Sequence, residues 1–325
     1  INRYDHPNRM PVLLEFCSMD VTAILDPLNP AQREAVSNTD SHLLVLAGAG
    51  SGKTRVLVHR IAWLIQVEQL SPYGVLAVTF TNKAAKEMRG RLDDMLGYSS
   101  KGMWVGTFHG LAHRLLKMHW QDAGLPENFQ ILDSDDQLRL VKRVYQALGI
   151  DDSRWPYRQA QSFINSQKDE GLRSKHLQPA QDPYQRTMLQ IYSSYEEACE
   201  RGGMVDFGEL LLRAHELWLN KPEVLAHYQQ RFGQILVDEF QDTNAIQYAW
   251  LRVLAGQHIR ITAVGDDDQS IYGWRGAKVE NILNFSRDYP NTATVRLEQN
   301  YRSTKNILEA ANAVISRNTD RLGKN

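Results

Sequence analysis

The chain has 325 residues, with 37 Lys and Arg against 38 Asp and Glu, for a formal net charge of −1. At roughly 150 residues per domain this length suggests about two domains. A composition that is 42% hydrophobic and 23% charged excludes a disordered chain, a collagen and a coiled-coil rod. No window approaches the ~18 consecutive apolar residues of a membrane-spanning helix. The two cysteines, Cys17 and Cys199, exclude a disulfide framework and fit a reducing, cytoplasmic compartment. Near-neutral charge excludes a globally basic body, so any contact with nucleic acid would run through a local groove.

In chain order, residues 1–18 carry a short apolar patch interrupted by Pro11 and Glu15 and lack the ordered parts of a signal peptide. They read as an upstream extension, with Met19 as the expected start. Short apolar runs bounded by turn residues then recur at 42–47, 75–80, 103–108, 234–240, 260–264 and 294–297. Helical periodicity follows several of them, as at 55–65 and 83–95. Buried strands alternating with helices predict an α/β fold, a parallel sheet covered on both faces. From 108 to 232 strand-like runs vanish and amphipathic helical patterns dominate, for example at 138–148 and 210–219. The expected architecture is one α/β domain interrupted by a helical insertion. The chain stops in a charged stretch after a helical pattern at 307–315, and reads as cut inside a further domain.

The first strand runs into Ala47-Gly48-Ala49-Gly50-Ser51-Gly52-Lys53-Thr54 and then a helix. This is a phosphate-binding loop, with Ala47 where the strict pattern has its first glycine. Glycines let successive backbone N–H groups turn toward phosphate oxygens, and the helix N-terminus adds its positive dipole end. Lys53 can reach the terminal phosphates of a nucleotide, and the Thr54 hydroxyl can ligate Mg²⁺.

At 235–237 an apolar strand ends in Asp238-Glu239, two carboxylates at the sheet edge where phosphate-loop proteins hold their metal. Asp238 is placed for Mg²⁺ and Glu239 to deprotonate an attacking water. After the strand at 260–264, Gln269 offers a neutral amide to a γ-phosphate. Tyr272, Trp274 and Arg275 follow as an aromatic and cationic cluster suited to unpaired bases. Such a cluster beside a turn is more often core than interface, and only its closeness to Gln269 points to coupling. From 83 to 119 seven Lys and Arg face three acids, a local net of +4 that a solvated helix face explains equally well. His109 and His113 share helical spacing, but no Glu lies between them as a zinc motif needs.

Seven ordered strings, at 28–35, 47–54, 77–85, 105–109, 237–243, 264–277 and 297–303, make the chain resemble superfamily 1 DNA helicases of the UvrD/Rep/PcrA group. The resemblance implies a RecA-like domain, called 1A, at 19–107 and 233–298. It also implies a helical insertion, 1B, at 108–232 and the truncated start of a second RecA-like domain, 2A, at 299–325. It implies that ATP and Mg²⁺ bind at Gln32, Ala49, Gly50, Ser51, Gly52, Lys53, Thr54, Arg55 and Tyr301. Thr54 and Asp238 would hold the metal, and Gln32 would read the adenine edge under a stacked Tyr301. Lys53, Asp238, Glu239, Gln269 and Arg302 would be catalytic, Arg302 as an arginine finger. Phe80, Asn82, His109, Tyr272, Trp274 and Arg275 would lie along single-stranded DNA.

The activity implied is ATP-driven 3′→5′ movement on single-stranded DNA and unwinding of 3′-tailed duplex, in DNA repair and replication. Repair proteins are the partners implied, in the cytoplasm at the nucleoid and away from membranes. A chain lacking the later motifs is expected to bind nucleotide weakly and hydrolyse it poorly. A non-enzymatic nucleotide- or DNA-binding module and a P-loop small-molecule kinase remain the alternatives.

Overall fold

The computed structural model describes residues 21–178 and 182–317. The extension read at 1–18, the start at Met19 and the charged stretch at 321–325 lie outside the described residues. The strands in chain order are β1 (His42–Ala47), β2 (Val75–Thr79), β3 (Trp104–Thr107), β4 (Gln130–Leu132), β5 (Met204–Asp206), β6 (Gln234–Val237), β7 (Arg260–Gly265) and β8 (Thr292–Leu297). Six of them form one sheet in the order β3-β2-β6-β7-β1-β8. Every described pair in it is parallel, with Leu76 beside Ile235 and Leu44 beside Ala263. The α/β fold read from the sequence is the fold observed.

Side-chain alternation explains why the central strands are apolar throughout. Leu44 and Leu46 of β1 join one buried cluster, with Leu76, Trp104, Trp218 and Trp250. Leu43 and Val45, pointing to the other face, join a second with Val56, Ile61, Ala77 and Leu92. A strand buried on both faces reads as a continuous apolar run. Three predicted strands overran, because polar residues end the ladder. Thr81 caps the helix Asn82–Leu96 by accepting the Ala84 N–H at 3.1 Å. Thr107 closes β3 and caps Phe108–Met118 through the Gly110 N–H at 3.2 Å. The third strand stops at Val237, before the acidic turn.

The expectation of no strand between 108 and 232 is corrected by β4 and β5, which pair in parallel from Gln130–Met204 to Leu132–Asp206. Each has three residues, too short for alternation to register in the sequence. Core membership also divides this span. Phe108, Leu111, Leu211, Trp218 and Tyr228 pack into the sheet's own cluster. A separate apolar core runs from Leu132 to Cys199, built on the helices Ser134–Leu148, Tyr157–Asp169 and Pro183–Gly202.

A buried polar network joins the two. Lys168 is 1% exposed, and its Nζ lies 2.8 Å from Asp206 Oδ2 and 3.1 Å from Glu209 Oε2. Arg173 reaches Glu196, Glu209 and Glu216, while Arg213 also pairs with Glu209. No helix among the described residues is long and apolar enough to cross a membrane.

Candidate nucleotide cleft and adjoining groove

β1 ends at Ala47, and the chain turns through Gly48–Gly52 into the helix Lys53–Gln66. Gly50 and Gly52 sit at φ +77° and +89°, a region that side-chain-bearing residues avoid. Space excludes a side chain there as well. A Cβ on Gly50 would lie 2.6 Å from Cβ of Arg302, and one on Gly52 would lie 2.7 Å from Nε2 of Gln32. The loop thus delivers the N-terminus of a fourteen-residue helix, with its unpaired N–H groups, to the C-terminal edge of the sheet.

β6 brings Asp238 and Glu239 to the same edge. Lys53 Nζ pairs with Glu239 Oε2 at 2.6 Å. Glu239 is itself left-handed, at φ 46° and ψ 46°, a strained conformation for a non-glycine residue that clusters at functional sites. Asp238 is buried, and its Oδ1 accepts the Glu239 N–H at 3.0 Å. Burial first, then the charge of Glu239, pushes the Asp238 carboxyl up to about 6 against the pull of Lys53. Asp242 is likewise pushed up to about 6, by burial and then Glu239. Gln269, half-buried after β7, donates its amide to Asp266 Oδ2.

The segment after β8 folds back over the loop. The Tyr301 N–H donates to the Gly50 carbonyl at 2.9 Å, and Asn300 Nδ2 donates to the Ala49 carbonyl. The Tyr301 hydroxyl accepts from Asn29 Nδ2 at 2.8 Å. A cleft of about 550 Å³ results. Of the predicted residues, Ala49, Gly50, Gly52, Lys53, Thr54 and Arg55 line it, as do Glu239, Gln269, Tyr301 and Arg302.

Gln32, Ser51 and Asp238 are not among the lining residues. Gln32 is 1% exposed, with its amide committed inside the fold. Its Nε2 donates to the Ser51 carbonyl at 3.0 Å, and its Oε1 accepts the Asn29 N–H at 3.1 Å in a capping box. In this structure Gln32 braces the loop from behind. The donor set nevertheless fits a magnesium nucleotide. Thr54 and Asp238 offer hard oxygen ligands, and Lys53, Arg55 and Arg302 supply three cations around one helix N-terminus.

A second hollow of about 420 Å³ opens where β2, β3 and β6 end. Phe80, His109 and Tyr272 line it, together with Asp133, Gln137 and Asn165 from the inserted span. Phe80 stacks edge-on against Phe108 at 5.8 Å, and His109 against Phe207 at 6.0 Å. Burial lowers the His109 pKa, which favours the neutral ring. Asn82 opens the helix Asn82–Leu96 on the exposed surface outside this hollow. Trp274 is 76% exposed and Tyr272 37%, with ring centroids 6.4 Å apart, so this pair lies on the surface and not in the core. The Arg275 side chain lies outside the described residues.

A family profile, the UvrD/REP helicase N-terminal domain, matches residues 28–290. The chain belongs to the UvrD/Rep helicase family.

Curated relatives within this UvrD/Rep group agree. DNA helicase II of Escherichia coli (strain K12) is 66% identical over 306 residues, covering 94% of this chain and 42% of the relative. The Haemophilus influenzae DNA helicase II is 56% identical over 311 residues, 94% and 43% of the two chains. The ATP-dependent DNA helicase PcrA of Leuconostoc citreum is 46% identical over 308 residues, 94% and 41%. The chain therefore spans about two-fifths of the length of these relatives.

Sequence reasoning missed some of what this UvrD/Rep cleft contains. Glu87 and Arg91 line it and pair at 2.6 Å one turn apart on Asn82–Leu96. Their i,i+4 spacing was visible, but it is also the commonest pattern of a solvated helix. Gln241 lies within the matched string at 237–243, but nothing local to it showed what its amide would reach.

Proposed function

We propose that the whole protein is an ATP-dependent DNA helicase that moves 3′→5′ on single-stranded DNA and serves repair and replication at the cytoplasmic nucleoid. The observation that carries this reading is the convergence of Lys53, Glu239, Gln269, Tyr301 and Arg302 on one cleft in a UvrD/Rep-family chain. We infer that 19–107 and 233–298 form domain 1A, 108–232 the insertion 1B, and 299–325 the opening of 2A.

In this reading the loop N–H groups, Lys53 and Arg55 hold the triphosphate, and Tyr301 stacks on the base. Gln32 holds the loop carbonyl at Ser51 and so shapes the phosphate cradle. Thr54 and Asp238 would hold Mg²⁺, which supplies neutralisation of phosphate charge when bound. Glu239 takes the proton of the attacking water, while Arg302 faces the charge that develops on the transferring group. Gln269 and the exposed pair Tyr272 and Trp274 stand on one short segment, so a shift at the phosphate is passed directly to rings that stack on bases. Phe80, Asn82, His109 and Arg275 extend that path. Single-stranded and 3′-tailed DNA are the proposed substrates, and repair proteins the proposed partners.

The test is Mg²⁺-dependent ATP hydrolysis by the protein at its relatives' length, with and without single-stranded DNA. Strong stimulation by DNA, abolished in Lys53→Ala, is the expected result. Hydrolysis indifferent to DNA overturns the reading.

A further inference from the structure

The proposed chemistry asks Glu239 and Gln269 to act on one reaction centre, yet they follow different strands, β6 and β7. Gln241 spans the gap. Its side chain is fully buried, with Nε2 donating to Glu239 Oε2 at 2.9 Å and Oε1 accepting the Asp266 N–H at 3.0 Å. The carboxylate can only accept and the backbone N–H can only donate, so these two partners fix which way the amide faces. Asp266 then accepts from Gln269 Nε2 through its carboxylate. Three hydrogen bonds therefore run unbroken from Glu239 through Gln241 and Asp266 to Gln269.

Packing reserves the place for this amide. A Cβ on Gly265 would lie 2.4 Å from Gln241 Oε1, so residue 265 must be glycine for Gln241 to reach Asp266. The other end of the chain ends on a residue in a strained backbone conformation. Such a residue keeps one orientation only when its surroundings over-determine it. Lys53 holds the Glu239 carboxylate from the cleft side and Gln241 holds it from the buried side.

We propose that Gln241 is a positioning residue that keeps the carboxylate of Glu239 in register with the amide of Gln269, so that the two move as one unit. This rests on the roles proposed above for Glu239 and Gln269. Gln241 touches neither nucleotide nor water in this scheme and acts through its neighbours.

Two variants separate it from a merely structural glutamine. Gln241→Met keeps the volume and deletes both hydrogen bonds. Gln241→Glu keeps the acceptor for the Asp266 N–H but loses the donor to Glu239. In the protein at its relatives' length, both should lower kcat by about 10–100-fold, the cost of misplacing a reacting group. Nucleotide Kd should stay within about threefold of wild type.

The decisive measurement is single-turnover hydrolysis in a Glu239→Gln background, where adding Gln241→Met should cost no further rate because the group it positions is gone. A structural role would lower the rate by the same factor in both backgrounds. Additive losses, or a Gln241→Met kcat within about twofold of wild type, overturn the proposal while leaving the helicase reading intact. A wild-type protein with no Mg²⁺-dependent hydrolysis overturns both. Should Gln241→Met fail to fold, Gln241→Glu carries the same comparison.

Discussion

Glu239→Gln should lower catalysis and tighten nucleotide binding at the same time. Lys53 Nζ stands 2.6 Å from Glu239 Oε2, with side-chain exposures of 11% and 34%. Any phosphate oxygen that recruits Lys53 competes with this carboxylate. In a dry interior the attraction would be many kcal/mol, but water reaches Glu239, so the pair is worth about 1 kcal/mol. Glutamine keeps the shape and removes the charge. The freed ~1 kcal/mol then goes to the phosphate, tightening Kd for Mg²⁺–nucleotide by about fivefold. Losing the general base removes a factor of about 10²–10⁴ from kcat.

Lys53→Ala gives the contrasting pattern, with binding and turnover both falling, because the cation itself is lost. Fluorescence titration with a labelled nucleotide, beside single-turnover hydrolysis, reads both quantities on the same preparations. If Glu239→Gln weakens binding, the carboxylate is not a competitor for Lys53, and the pair is instead needed to shape the cleft. If kcat stays within about tenfold of wild type, Glu239 is not the base.

Further outcomes follow from the same geometry. Trp274→Ala should leave stability within about 0.5 kcal/mol but cost about 1–3 kcal/mol of single-stranded DNA affinity, read by anisotropy. Unchanged affinity would remove Trp274 from the DNA path. Lys168→Met strands the buried carboxylates Asp206 and Glu209. Glu209 keeps Arg173 and Arg213, and Asp206 keeps the Tyr195 hydroxyl, so the cost should sit near the low end for a broken buried pair, about 3 kcal/mol. Calorimetry should show Tm lower by roughly 6–12 °C; an unchanged Tm refutes the stabilising role. Asp169 is pushed up from 3.8 to about 6 by burial and then by Glu170 and Asp206. The folded chain therefore holds this proton longer than the unfolded one, and stability falls as pH climbs through that window. Asp169→Asn should raise Tm above pH 6 or so and leave it unchanged near pH 4; an equal difference at both sinks the assignment.

The candidate nucleotide cleft was legible because its parts are contiguous. A strand, a glycine loop, a lysine and a helix in sequence leave one arrangement, and the acidic pair after β6 repeats that economy. What could not be read depends on contacts across the chain. Gln32 lies in an Asn-Pro-x-Gln stretch that spells a helix start, and the capping box is what the fold makes of it. Whether Trp274 is core or surface depends on what covers it, which residues 273–276 do not state. β4 and β5 exist because three residues from each of two distant segments meet. Gln241 gains its meaning only when Asp266 arrives from the next strand.

The manner in which the inserted span is fastened follows from the same division. Its apolar core at 132–199 is separate from the cores of the sheet, while the helices flanking that core pack Leu111, Leu211 and Trp218 into the sheet's own cluster. Polar pairs tie the part with its own core to the rest. Beyond the Lys168 and Arg173 networks, Asp169 accepts from Asn244 Nδ2 at 3.0 Å, and Glu170 pairs with Lys278 at 2.6 Å. Asn244 stands two residues after the Asp238–Asp242 turn, and Lys278 follows the segment bearing Gln269, Tyr272 and Trp274. The exposed Glu170–Lys278 pair contributes about 0–1 kcal/mol and exchanges for water at little cost. An apolar seam of equal extent would have to open against about 25 cal/mol per Å². Asp169 and Asn244 themselves line the groove that also holds Phe80, His109 and Tyr272, so these polar contacts sit at that groove and not under an apolar seam.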